Sequence, residues 1–218
     1  MKNIFLELVF ISCFTVISSI SSAHESNKAI SPGNSFYPAK ENITLTYKTS
    51  FGETTSKFSY NDQNVVSINE SDKFKYRQIL NIENDGIYVT ETFQKIKLFL
   101  FLTKEATYTY NKPLLRLPTP LIPGKTWTWE GIEYSDGDSN TVNVSGKIFD
   151  KEQIIVPAGK FDAMKVQTTI ESSSKTKNII TEWYSEEIGL IKASIVIEGG
   201  GLMGMVRDIL TWLRRINF

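Results

Sequence analysis

One cysteine and one histidine are all the thiol and imidazole chemistry that 218 residues carry. Cys13 lies inside the apolar run Leu8–Ile17, and Ser21-Ser22-Ala23 behind it are the small residues a signal peptidase needs. Lys2 supplies a basic start. A membrane span needs about twenty apolar residues, so this run is too short to stay in a bilayer. Residues 1–23 therefore read as an export signal, and the mature chain is expected to begin at His24, in a periplasm or outside the cell. Cleavage removes the only thiol, which excludes disulfides and a cysteine nucleophile. A lipid-accepting Cys13 fits poorly, because Phe10-Ile11-Ser12 lacks the expected leucine and Cys13 sits in mid-run. With His24 alone, no Ser–His pair, Cys–His pair or multi-histidine zinc site can form inside the fold. Copper held by an N-terminal histidine would need a second histidine, and there is none.

A charge excess is also missing. Lys plus Arg and Asp plus Glu stand at 24 each, so nothing favours nucleic acid or an anionic bilayer. No glycine-rich phosphate loop and no βαβ spacing occur, and no cofactor is expected. What remains is strand after strand. Residues 24–36, rich in Ser, Asn, Pro and Gly, read as a flexible segment before a single domain over 37–218. Period-two runs predict strands at Asn42–Thr49, Thr54–Tyr60, Lys73–Ile82, Gly86–Phe93, Ala106–Tyr110 and Thr126–Tyr134. They continue at Thr141–Phe149, Lys160–Glu171, Asn178–Tyr184 and Leu190–Ile197. Phe51-Gly52, Asn84-Asp85-Gly86 and Ser135-Asp136-Gly137-Asp138 supply the turns. This is a mainly β chain, all-β or α+β, of antiparallel meanders forming a curved sheet or open barrel. Pro113, Pro118, Pro120 and Pro123 interrupt it, so two meander halves are expected to join near 112–124. Pro38–Tyr47 and Pro120–Trp129 share proline, two threonines and a closing aromatic, which suggests a duplication.

Val156-Pro157-Ala158-Gly159-Lys160-Phe161-Asp162-Ala163-Met164-Lys165-Val166, followed by Trp183-Tyr184 and Ile188-Gly189-Leu190-Ile191-Lys192, resembles an exported bacterial domain of unknown function that includes TapB-like proteins. The Pro120–Trp129 stretch is similar to the start of the same unit. Glu186-Glu187 stand where that family commonly has Pro-Gly, a departure at one turn. The resemblance implies no catalytic residues. A curved antiparallel sheet like that of LolA/LolB-type carriers is a fold analogy. In physical terms Pro157, Ala158 and Gly159 make a tight hairpin with a bulge, so the motif reads as a fold signature.

Candidate sites are few. Asp136–Asn140 spaces oxygens like a calcium loop but lacks the later ligands, and an Asp/Asn-rich hairpin explains the same residues, so no metal is expected. Glu130 and Glu133 differ by an odd number and face opposite sides of a strand. Glu182 and Glu186 flank Trp183-Tyr184, a pairing common among so many carboxylates, and no enzyme is expected. Ile96–Leu102 is apolar on both faces, which predicts a strand covered twice, once by the core and once by protein or an apolar ligand. Trp127 and Trp129 share a face and are open to the same two readings. After Gly199-Gly200-Gly201, residues 202–217 show helical spacing, with Leu202, Val206, Ile209, Leu213 and Ile216 on the apolar half and Arg207, Arg214 and Arg215 on the other. The terminal Phe218 suits a barrel strand, but the helical spacing overrides it. The helix either closes the sheet or lies on a membrane; docking is preferred. The expected function is an exported, non-catalytic binding module for a lipid or other apolar or amphiphilic ligand. Phe99, Phe101, Trp127, Trp129 and Leu213 would line the site. The alternative is a structural or adhesive part of a cell-envelope assembly, in which the same surfaces meet an envelope protein.

Overall fold

The computed structural model describes residues 35–41, 43–50, 52–61, 64–99, 102–199 and 208–217. Twelve strands follow one another: β1 (Thr44–Thr49), β2 (Gly52–Asn61), β3 (Asn64–Glu70), β4 (Phe74–Ile82), β5 (Gly86–Phe99) and β6 (Leu102–Pro118). Then come β7 (Thr126–Ser135), β8 (Asp138–Val156), β9 (Gly159–Ser172), β10 (Thr176–Ser185), β11 (Gly189–Gly199) and β12 (Asp208–Asn217). Each pairs antiparallel with its sequence neighbours, and β12 pairs with β1, so the meander closes into a barrel. Closure removes both sheet edges, whose free N–H and C=O groups would otherwise need cover. The pleat then sorts the side chains: in β7 Trp127, Trp129, Gly131 and Glu133 point inward, while Thr128, Glu130, Ile132 and Tyr134 are exposed.

The C-terminal expectation is overturned. Residues 208–217 form a strand, not a helix, and the barrel is closed by strand pairing; among the described residues there is no helix. Residues 202–207 lie outside the described part. In β12 Thr211 and Leu213 are buried and Arg214 and Arg215 exposed, a pattern that strand alternation satisfies up to the register shift opposite Thr46/Tyr47. Pairing satisfies the open edges of β1 and β11 together, and that outweighs a local helical spacing. The doubly covered strand is corrected too. Ile96–Phe99 end β5 and Leu102 begins β6, with Phe99 opposite Leu102, so the apolar run is a hairpin; Phe101 lies outside the described residues. Only two residues separate the strands, and neither is a turn former, so nothing in the pattern marked the reversal.

The two ends of the barrel differ. One gathers the β2–β3, β4–β5, β6–β7, β8–β9 and β10–β11 connections, and residues 35–41 cross it as a strap. Tyr37 enters the core edge-on to Phe58 at 5.8 Å, the Glu187 N–H donates to the Ser35 C=O at 2.8 Å, and the Tyr60 hydroxyl donates to the Ala39 C=O. The β8–β9 hairpin bends at a bulge between Ile148 and Lys151 and folds back over the same end, where the Ala158 N–H meets the Leu213 C=O at 3.2 Å. Pro157-Ala158 form its turn and Gly159 takes φ +140°, which favours glycine. The opposite end carries turns such as Asp136-Gly137, both at positive φ, the two-residue hairpin that an Asp-Gly pair specifies. Outside, the wall is laced with cross-strand ion pairs, among them Arg77–Glu91 and Lys95–Glu105 at 2.6 Å and Lys177–Glu198 at 3.5 Å. A lipid-facing barrel would present an apolar band there.

Candidate functional site in the barrel lumen

Successive strands in register place their inward residues side by side, and over β2–β6 this builds two adjoining rows. The first runs Ser56, Asn69, Tyr76, Gln94, Ala106, and the second Phe58, Ser67, Gln78, Thr92, Tyr108, each residue the cross-strand partner of the next. All ten are buried. A buried surface of uncharged polar side chains is unusual. Within it the Gln94 amide donates to the Tyr108 hydroxyl at 2.7 Å, and the Asn69 amide reaches Ser67 Oγ at 3.5 Å. Ser56 Oγ and the Asn69 carbonyl oxygen have no partner. At the edge of this patch the buried Glu133 carboxylate lies by Tyr110, whose hydroxyl burial pushes far up, with the carboxylate adding to the push.

Six strands further round the ring, β8–β11 build the opposite arc from Val144, Ile170, Asn178, Ile197 and from Gly146, Thr168, Ile180, Ile195. Its character is aliphatic. Thr168 Oγ1 and the Asn178 carbonyl oxygen are the polar exceptions, both buried and without a partner. An orphaned buried polar atom costs about 1–3 kcal/mol, so several around one lumen call for an explanation.

The strap end of the lumen is packed with Leu45, Tyr47, Leu80, Ile87, Leu117, Leu190 and Leu213. A polar clasp crosses it. Arg116 on β6 donates to Glu182 on β10 at 2.5 Å and to the Tyr184 hydroxyl at 3.3 Å, while that hydroxyl donates to the other Glu182 oxygen at 3.0 Å. Three strands separate β6 from β10, so the clasp ties separate arcs of the wall. Burial pushes the Glu182 carboxyl up to about 8, against the Tyr184 bond, which favours the charged form.

The residues singled out in the sequence fall in different places. Trp127 and Trp129 both point inward. A Cβ on Gly146, the partner of Trp127, would come within 2.2 Å of that indole, and one on Gly131 within 2.3 Å of Trp129, so each ring lies flat on a glycine. The Trp129 indole N–H donates to the Pro113 C=O at 2.9 Å, whereas Trp127 Nε1 is buried without a partner. Leu213 is buried at the strap end, away from the polar rows. Phe99 stands at the far rim, at the end of β5. The lumen therefore brings Trp127 to the aliphatic arc and leaves Leu213 and Phe99 at opposite ends. Glu182 and Glu186 do not share a site, because Glu186 is exposed beside Lys151 at 3.8 Å. Sequence reasoning missed the polar rows. Their signal is Ser, Asn, Gln and Thr at the same strand parity as Phe58, Val65 and Leu80.

The barrel wall has one weak seam. β6 and β7 pair only at Thr109–Tyr134 and Tyr110–Glu133; below that, Asn111 Oδ1 accepts from the Ile132 N–H at 2.9 Å in place of a ladder bond. Outside this seam lies a cleft of about 520 Å³, lined by Lys112, Thr128, Trp129, Glu130, Asn143 and Glu171 among others.

The model of the DUF3108-like family matches residues 40–206. Among solved structures the chain is similar to an inferred lipoprotein of Parabacteroides distasonis, with 16% identity over 84% of this chain and 98% of that one and a TM-score of 0.42. It is similar to an inferred exported protein of Bacteroides fragilis with a YmcC-like fold, at 15% identity, 84% and 99% coverage and a TM-score of 0.43. The hypothetical lipoprotein YmcC of Escherichia coli gives 11%, 80%, 87% and 0.43 in the same order. No curated protein matches.

Proposed function

We propose, from the premise that this chain belongs to the DUF3108-like family, that it is an exported binding protein without catalytic activity, holding one amphiphilic molecule between the two inner arcs of its barrel. The observation that carries this reading is the contrast across the lumen. One arc offers Ser56, Asn69, Gln78 and Thr92, the other Ile170, Ile180, Ile195 and Ile197, and polar atoms on both lack partners. A molecule with one apolar and one polar side answers both at once. Export rests on Met1–Ala23, with cleavage before His24, and the likeness to TapB-like members rests on Val156–Val166. The buried carboxylates favour binding over chemistry: Glu182 is held by Arg116 and Tyr184, and Glu133 lies against Tyr110.

Native mass spectrometry of protein purified without detergent tests the proposal, together with uptake of the fluorescent apolar probe N-phenylnaphthylamine. A single bound amphiphile, or saturable probe uptake that Ile195→Trp abolishes in a folded barrel, is the expected result. A ligand-free stable oligomer with no probe uptake would favour a structural part of an envelope assembly instead.

A further inference from the structure

The arc that would receive the polar side of a ligand contains no charge. Its two rows hold Ser, Asn, Gln, Thr, Tyr, Phe and Ala, and no lysine or arginine. Among the described residues the one buried basic side chain is Arg116, and Glu182 and Tyr184 already engage it at the strap end. A carboxylate or phosphate brought against this arc would lose its water and meet no counter-charge, which costs far more than desolvating a hydroxyl. Glu133, buried at the edge of the arc, adds repulsion. A hydroxyl can donate and accept at once. It fits an arc whose unpartnered atoms include an amide carbonyl oxygen, Asn69 Oδ1, beside a hydroxyl, Ser56 Oγ, on directly paired positions of β2 and β3.

We propose that Ser56 and Asn69 read an uncharged, hydroxyl-bearing head group, so that the barrel takes a neutral amphiphile such as a monoacylglycerol and rejects fatty acids and phospholipids; this rests on the lumen-binding reading above. The two residues are separable from the fold. Ser56→Ala removes an orphaned hydroxyl, and Asn69→Leu replaces an amide whose carbonyl oxygen is orphaned and whose one bond, to Ser67 Oγ, is long at 3.5 Å, so neither should lower the melting temperature.

Displacement of N-phenylnaphthylamine by monomyristoylglycerol, myristate and tetradecyltrimethylammonium, which share a chain length, tests the head group. The neutral compound should displace at a concentration about tenfold or more below either charged one, the effect of roughly one net hydrogen bond. Ser56→Ala with Asn69→Leu should raise that concentration about tenfold or more relative to the probe affinity measured on the same variant. If the double variant does not fold, Ser56→Ala alone should still raise it severalfold. Equal or stronger displacement by myristate or the ammonium compound overturns the proposal but leaves lumen binding standing. So does unchanged displacement of the folded variant. Failure of the probe and of all three amphiphiles to bind overturns both.

Discussion

The inner arcs of β2–β5 and β8–β11 stand opposite each other on the same ring and use the same pleat, yet one turns Ser56, Ser67, Gln78 and Thr92 inward and the other Ile170, Ile180, Ile195 and Ile197. On β3 the usual sorting is inverted: Val66 and Ile68 point outward, half-buried, while Ser67 and Asn69 are buried inside. A barrel held together only by apolar burial would not spend its inward positions this way, since each Ser or Asn forgoes about 1.5–3 kcal/mol that a Val or Leu could supply. The stability of this barrel is therefore concentrated in the second arc and the strap end.

The contrast can be broken most severely where a side chain joins separate arcs. Arg116→Ala strands Glu182 in the core and, above pH about 8 where that carboxyl is charged, should cost about 3–5 kcal/mol in urea unfolding, whereas replacing both partners by Met and Leu should recover most of it. Next, Ile195→Asn puts an unpaired amide into the aliphatic arc and should cost about 2–4 kcal/mol, while the mirror-image Asn69→Leu should be neutral or stabilising. Equal penalties on both sides would erase the distinction. A smaller effect is expected with pH. Burial raises Glu182 to about 8 from its ordinary 4.5, so the folded protein keeps a proton that the unfolded chain has released. Its contribution is full below pH about 4.5 and is lost as pH rises through about 8; urea midpoints across that window should fall, and Glu182→Gln should flatten the slope. Smallest is Ser56→Ala, expected to raise stability by up to about 1 kcal/mol, visible as a slightly higher melting temperature.

The legible parts of the fold were those where composition and pleat agree. Trp127-Thr128-Trp129 alternated cleanly and became β7, and Asp136-Gly137 named its own hairpin. β3 was overlooked because Asn-Val-Val-Ser-Ile-Asn-Glu carries two of its three apolar residues, Val66 and Ile68, on the outward face, so no buried stripe announces it. The same inversion hid the polar arc: Ser, Asn and Gln are read as solvent-facing until the register shows otherwise. In the last strand, Ile209, Leu213 and Ile216 satisfy a helical period, and only the open edges of β1 and β11, a non-local demand, decide for a strand. Trp127 and Trp129 were correctly paired on one face, but the glycines beneath their rings are cross-strand and same-strand facts that spacing alone does not announce.

The pairing of β1 with β12 also governs the order of assembly. Thr44 lies opposite Asn217, so a chain made from its N-terminus can zip β2 onto β1 at once yet must carry the other edge of β1 unsatisfied until β12 arrives. Such a ring has high contact order and should fold slowly. Until it shuts, β1 and β11 each display an unpaired edge, and two half-made chains side by side offer one another the missing partner. Removing β12 should thus convert a self-contained ring into strand-swapped dimers and aggregates, whatever becomes of the lumen.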